Sequence, residues 1–325
     1  MIEHHNGNGA ATKRVLLTGA TGFIGHHCLG PLLALNYEVH AVSSKSPPTS
    51  GSTFVQWHQA DLLEREAIAP LVREVQPTHL LHLAWMVVPG QSYTSIDNYR
   101  WLQSTLDLVD QFRTQGGKRI AVAGSSYEYD QRYGVCSEEL TPTEPDTVYG
   151  ICKHALQEVL AAYCRSTDLT MVWPRIFFVY GPNEHPNRLV SSVIRSLLAG
   201  EPARCSHGRQ MRDYLYVQDV ADGMVALLDG GAQGPVNIGL GTPVTLRQII
   251  ETIGEMTGRS DLIRFGAIEA RPNEVPLVIA DTSRMATATD WRPRYGLEEG
   301  LTSTIAWWRS HLNIQPRKEL TCHNS

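Results

Sequence analysis

The sequence predicts an α/β protein: a doubly wound parallel sheet with a smaller, discontinuous α/β unit toward the C-terminus. Three observations carry this. Short apolar runs alternate with amphipathic segments through the first half of the chain, the pattern of parallel strands joined by crossover helices. A glycine-rich stretch, GATGFIG at residues 19–25, follows directly on the first run. After Arg175 proline and glycine punctuate the chain and the alternation loosens, until Val236-Asn237-Ile238 reads as one more buried strand.

The elements follow in order. Strands are expected at Arg14–Thr18, Glu38–Val42, Phe54–His58, His79–Leu83, Arg119–Ala123 and Thr170–Trp173, each a short and largely apolar run of the kind buried on both faces. Helices are expected at Cys28–Leu35, Glu64–Val75 and Tyr99–Phe112, then from Tyr149, and later at Leu189–Leu198, Val217–Leu228 and Leu246–Thr257. Pro70 is expected to kink or shorten the second of them. The domain layout that results is a flexible lead over 1–12, a nucleotide-binding domain over 13–175, and a mainly substrate-binding unit over 176–325. The chain returns to the larger domain around 213–240, and the cleft between the two units is the expected ligand site.

Composition narrows the class. With 325 residues, 42% hydrophobic and 19% charged, the chain can bury a large core. A formal charge of −5 argues against nucleic acid or an anionic membrane as the main partner. No apolar run approaches the roughly 18 residues of a membrane span, and MIEHHNGNGAATKR has no hydrophobic signal core. The six cysteines form no CxxC pair, so reduced thiols in a cytoplasmic protein are expected. The thirteen histidines show no HExxH spacing, and no metal is expected.

The glycine turn makes the first site. Gly19, Gly22 and Gly25 stand between a strand and a helix, where glycine permits a tight turn, close approach of a pyrophosphate and close helix-to-strand packing. The helix N-terminus then favours the phosphate charge. The domain is therefore of Rossmann type, with Gly19, Thr21, Gly22, Phe23, Ile24 and Gly25 against a dinucleotide. His26 and His27 are expected on the helix surface or in packing. Where such folds often close the second strand with an acid that grips a ribose, this chain has Ser43, Ser44 and Lys45, with no Asp or Glu between Glu38 and Asp61. A carboxylate would repel a 2′-phosphate, whereas an ammonium and two hydroxyls would hold it. NADP(H) is the expected cofactor, with NAD(H) as the alternative.

The second site is Tyr149-Gly150-Ile151-Cys152-Lys153. Tyrosine and lysine at i and i+4 share a helical face, and an ammonium beside a phenol is expected to lower its pKa from about 10 and to let the pair exchange protons. AGSSYEYD, residues 123–130, adds hydroxyls at the end of the fifth strand.

With these motifs the sequence resembles the extended short-chain dehydrogenase/reductase superfamily, in its NAD-dependent epimerase/dehydratase branch. The resemblance spans about residues 13 to 310. It includes Asp61-Leu62, LLHLAW (80–85), WPRIFFVYGP (173–182), RDYLYVQDVA (212–221), VNIGLG (236–241) and RPNEVPLVIADTSR (271–284). It implies that Tyr149 is the acid/base and that Lys153 supports it and reaches the nicotinamide ribose. Ser125 would bind the substrate oxygen, with Ser126 as the competing choice. Asp61 and Leu62 would contact adenine, and Leu83 and Ala84 would border the cofactor. Arg212 and Arg271 would bind the diphosphate and nucleoside of a nucleotide sugar, with Arg188, Ser126 and Phe178 as further substrate contacts.

Departures from the family pattern narrow the chemistry. The sugar-nucleotide 4,6-dehydratases that the chain resembles carry Asp-Glu after the catalytic Thr; here Ser126 and Tyr127 stand there, and Glu128 is one place out of register. Phe178 and Trp101 replace residues that are often Asn, an apolar change that would favour a deoxygenated sugar. The expected function is therefore NADPH-dependent reduction of a nucleoside-diphosphate 4-keto-6-deoxysugar, with an NAD-dependent 4-epimerase as the alternative. A reductase of small carbonyls and a non-catalytic dinucleotide sensor are the further readings. The resemblance also implies a homodimer through the Tyr99–Phe112 helix and the helix that opens at Tyr149.

Overall fold

The structure, a computed structural model, describes residues 13–46, 53–270 and 274–313. Its centre is an eight-stranded sheet. In chain order the main strands are β1 (Arg14–Thr18), β2 (Glu38–Ser43), β3 (Val55–Gln59), β4 (His79–His82), β5 (Arg119–Val122), β6 (Thr170–Ile176) and β7 (Gly234–Ile238). They lie side by side as β3-β2-β1-β4-β5-β6-β7, and a two-residue strand, Gly124–Ser125, continues the line of β5 and also pairs with β6. All these pairings are parallel, beginning with Arg14 opposite Glu38 and Val15 opposite His79. Strand order reverses between β1 and β4, so a crevice opens above the carboxyl ends of those two strands.

Alternation along β1 divides the core. Val15 and Leu17 point to the face covered by α1 (Gly25–Ala34) and α6 (Val217–Asp229), where they join Leu32, Val220, Met224 and Leu228. Leu16 points to the other face, with Leu80, Leu108, Phe112, Leu156 and Leu160, under α2 (Arg65–Val75), α3 (Asp97–Thr114) and α4 (Val148–Arg165). Both faces are covered, which is why the strands read as apolar runs. Pro70 neither ends nor shortens α2; it sits on the helix's exposed side, where a missing N–H bond is tolerated.

The second unit holds α5 (Leu189–Ala199), α7 (Leu246–Thr257) and α9 (Leu297–His311), while the short α8 (Ser283–Ala288) packs on β7 and puts Met285 into the core of the large sheet. Val190, Ile194, Ile249, Ile253, Leu301 and Ile305 fill the core shared by α5, α7 and α9. Short strands pair around it: Phe178–Tyr180 with Tyr214–Tyr216, and Met211–Arg212 with Leu277–Ala280 and Val244–Thr245. Between these pieces α6 and β7 lie on the large sheet, so this unit is discontinuous in sequence. Among the described residues no helix is long and apolar enough to cross a membrane, and no cluster of His, Cys, Asp and Glu is arranged to hold a metal ion.

Candidate active site

The glycine turn is shaped by contacts that leave no room for a side chain. Gly19 adopts φ +68, the left-handed region, and a Cβ there would stand 2.8 Å from the backbone of Leu83 and Ala84. At Gly25 a Cβ would collide with the Gly19 carbonyl oxygen. At Gly22 the nearest atom would be that same oxygen at 3.0 Å, and little else is near on the side that faces the cavity. The turn therefore presents bare backbone and the start of α1 to a ligand, a cradle that fits a pyrophosphate. The loop after β4 is pinned to it. Leu83 and Ala84 donate their backbone N–H groups to Thr18 Oγ1 at 3.2 and 3.3 Å, and that hydroxyl also bonds His82 Nδ1 at 2.8 Å. His82 Nε2 meets Thr105 Oγ1 at 2.9 Å; burial pushes the imidazole down to about 3, so it is a neutral bridge between β1 and α3. Gly25→Ala is expected to force the turn open at a cost of roughly 1–3 kcal/mol, to be read as weaker dinucleotide binding by titration calorimetry.

The reacting groups meet above β5 and β6. Ser125 closes its two-residue strand and caps the single turn that follows, its hydroxyl accepting from Tyr127 N at 3.2 Å. On α4, Thr147 caps the N-terminus, with Gly150 N donating to its Oγ1 at 3.1 Å. A Cβ on Gly150 would collide with the Tyr127 carbonyl oxygen, so the bare glycine lets the first turn of α4 press against the Ser125 turn. That approach brings the Tyr149 phenol into a hydrogen bond with Ser125. One turn on, Lys153 Nζ donates to the Ala123 carbonyl at 2.8 Å and stands 3.7 Å from the centre of the Trp85 ring.

The electrostatics correct one expectation. Burial pushes the Tyr149 phenol up to about 12, against the bond from Ser125, which favours the phenolate. Burial likewise pulls the Lys153 ammonium down to about 7, with Glu128 working in the opposite direction. The sequence leads one to expect the lysine to depress the phenol, but burial outweighs it, and the direct contacts of the ammonium are the Ala123 carbonyl and the Trp85 ring. Tyr149 thus carries its proton throughout the physiological range.

A cavity of about 820 Å³ connects the two sites. Gly19, Thr21, Gly22, Phe23, Ile24, Gly25 and Leu83 line one part of it. Ser125, Ser126, Tyr149, Lys153, Phe178 and Arg188 line another, Ser126 and Arg188 being where the sequence put substrate contacts. Other expected residues stand apart from this lining. Ser43 is buried and accepts from Lys45 N at 3.2 Å, while Ser44 and Lys45 are exposed beyond it. Asp61 Oδ1 accepts from Leu63 N at 3.0 Å, and the Leu62 carbonyl accepts from Ser104 Oγ at 2.5 Å. Ala84 is set by its bond to Thr18.

Arg212 is not in the cavity wall: it pairs with Glu274 at 3.3 Å, donates to the Val275 carbonyl at 2.9 Å and lies over the Phe178 ring at 5.5 Å. Its guanidinium is held by protein groups, because the strand that carries Arg212 pairs with the one that follows Glu274. Arg271 lies outside the described residues. Trp101 is also not in the wall; it stacks behind Trp85 at 6.3 Å. Glu128 faces away from the cavity, accepting from Ser125 N at 2.7 Å, from Trp173 Nε1 at 3.0 Å and from Arg175 Nε at 2.9 Å.

Several wall residues had no role assigned from the sequence. Tyr93 and Tyr127 lie with ring centres 4.6 Å apart, each 6.2 Å from the Tyr149 ring. Glu184, the one carboxylate among the described lining residues, is buried and accepts from Ser191 Oγ at 2.7 Å; burial raises it to about 7. Trp307, Trp308 and His311 arrive from the far end of the chain on α9, with no motif to announce them.

Comparison with known proteins agrees with this geometry. Residues 15–239 match the model of the NAD dependent epimerase/dehydratase family. The chain belongs to that family. It is 26% identical over 318 residues to UDP-glucuronic acid decarboxylase 1 of Xenopus tropicalis, covering 94% of this chain and 75% of that relative. Among solved structures, MoeE5 in complex with UDP-glucose and NAD is 30% identical with a TM-score of 0.79, over 92% of this chain and 99% of that one. UDP-glucose 4-epimerase of Thermus thermophilus, in complex with NAD, is 26% identical with a TM-score of 0.79, over 91% and 99%. The extended short-chain dehydrogenase/reductase fold expected from the motifs is thus the fold of this family member.

Proposed function

We propose that the protein transfers hydride to a carbonyl carbon of a nucleoside-diphosphate sugar, as a 4-ketoreductase that uses NADPH. The observation that carries this is the state of Tyr149: a phenol that keeps its proton, bonded to Ser125, in a cavity continuous with the glycine turn. Reduction of a ketone needs such a donor beside the oxygen on which charge develops. Ser125 would fix and polarise that oxygen, and Tyr149 would give up its proton as the alkoxide forms. Lys153 would then face a phenolate, which it stabilises. A bound nicotinamide dinucleotide supplies the hydride. Elimination of water fits less well: Tyr127 fills the wall where a dehydratase of this family would place an acid, and Glu128 is held behind it.

The cofactor preference rests on the end of β2. With Ser43 turned inward, Ser44 and Lys45 are the groups offered to a 2′-phosphate. Lys45→Glu is expected to weaken NADPH binding roughly ten- to a hundredfold, as for loss of a charge-assisted contact, with NADH little changed; fluorescence titration of both cofactors checks it. A second reading, an NAD-dependent nucleotide-sugar 4-epimerase, is favoured by the NAD in the Thermus and MoeE5 complexes. NAD that stays bound through purification, with no turnover gained from NADPH, would select it. Dimerisation belongs to the same proposal: α3 and α4 pack side by side and expose Tyr99, Ile151 and Val159, an apolar face for a second copy.

A further inference from the structure

Lys153 is among the most enclosed charged groups of the chain, with 3% of its surface exposed, yet among the described residues it has no carboxylate partner within ion-pair distance. Glu128, the nearest acid to act on it, gives its oxygens to Ser125, Trp173 and Arg175. From β4 comes His82, which burial keeps neutral; from α4 itself come Tyr149 and Cys152, both pushed toward the neutral form by burial. What faces the ammonium directly is one carbonyl, Ala123, and the flat side of Trp85 at 3.7 Å.

The Trp85 ring is held on three sides. Its Nε1 donates to Asn98 Oδ1 at 2.8 Å. Asn98 is fully buried and donates in turn to the Ser92 and Ser95 carbonyls at 2.6 and 2.9 Å. Trp101 stacks behind it, and its edge meets the Tyr149 ring at 6.5 Å. Simple packing would not require the remaining face to be turned toward the cavity and an ammonium. A cation over an indole face gains from the ring quadrupole, and gains most where water is excluded.

We propose that Trp85 is a positioning residue for Lys153: its indole face, fixed by Asn98 and Trp101, holds the ammonium charged and aimed beside Tyr149. The indole replaces the counter-ion that this site lacks. It leaves the lysine a cation without a carboxylate close enough to compete for the proton that Tyr149 must donate. This rests on the Ser125–Tyr149–Lys153 geometry and on neither the substrate nor the cofactor of the functional reading.

The test is nuclear magnetic resonance of the whole protein labelled with [13C]lysine, following the ε-CH2 signals through a pH titration, with Lys153 assigned by Lys153→Arg. The Lys153 signal is expected upfield of the other lysine signals, shifted by the ring current of Trp85, and to titrate well below the ordinary lysine range. In Trp85→Leu the upfield displacement disappears and the midpoint falls by about one unit; Trp85→Phe, which restores an aromatic face, recovers most of both. If Trp85→Leu also disturbs the other four lysines, 5,7-difluorotryptophan placed at residue 85 decides, since it keeps the shape and weakens the ring face. A lower Lys153 midpoint in that protein supports the proposal. A midpoint unchanged by fluorination, or unchanged or raised in a folded Trp85→Leu, overturns it. No substrate is needed, so failure of the 4-ketoreductase reading would leave this result standing.

Discussion

Tyr149→Phe is expected to lower kcat by roughly two to four orders of magnitude while dinucleotide affinity stays near that of the parent. The phenol is buried at the start of α4, bonded to Ser125, and flanked by rings that exclude water from the reacting side. Glu184, the carboxylate of the lining, is tied to Ser191 on a different part of the wall and is not placed to take over. Phenylalanine keeps the ring contacts, so the fold and the glycine turn are untouched. Steady-state kinetics with a nucleotide sugar, beside calorimetric titration with the cofactor, separates the two effects. A protein that senses dinucleotides without catalysis would lose nothing measurable.

Glu128→Ala is expected to cost about 3–5 kcal/mol of stability, the usual consequence of leaving one member of a buried ion pair alone. Glu128 and Arg175 expose 0% and 1% of their surface. Removal of the carboxylate strands the Arg175 guanidinium against the Tyr129 ring and takes the acceptor from Trp173 Nε1 and from Ser125 N. Urea unfolding reads the loss. Because Ser125 is held by that same carboxylate, kcat in the folded fraction is expected to fall too, with cofactor affinity unchanged. Glu128→Gln separates size from charge: the amide keeps one acceptor for Ser125 N but leaves the guanidinium unpaired, so stability falls while the serine stays placed. A Glu128→Ala protein as stable as the parent would contradict this account of the turn.

Most of the sheet was legible because strands buried on both faces leave uninterrupted apolar runs, and β1 through β7 fall within a few residues of where those runs lie. Tyr149, Lys153 and the glycines were legible because their spacing is local, set by one helix or one turn. The Arg212–Glu274 pair was not legible for the opposite reason: Glu274 is brought to Arg212 by strand pairing that no local pattern reveals. The pKa of Tyr149 moved against expectation because helical spacing tells which groups share a face, while burial and competing partners set their protonation. Gly150 belongs with these. In sequence it is a spacer inside a motif, and only the Tyr127 carbonyl lying where its Cβ would be explains why it is glycine.

In the proposed function this cavity moves hydride between a nicotinamide and a nucleotide sugar. The most direct measurement is absorbance at about 340 nm, the band of a reduced nicotinamide, after rapid mixing of the protein and NADPH with a nucleoside-diphosphate 4-keto-6-deoxysugar, repeated with Tyr149→Phe. A fall in absorbance matched by loss of the ketone is expected, and none with the variant. Absorbance that stays flat with every nucleotide ketosugar, in a protein that binds NADPH tightly, would contradict the proposed function.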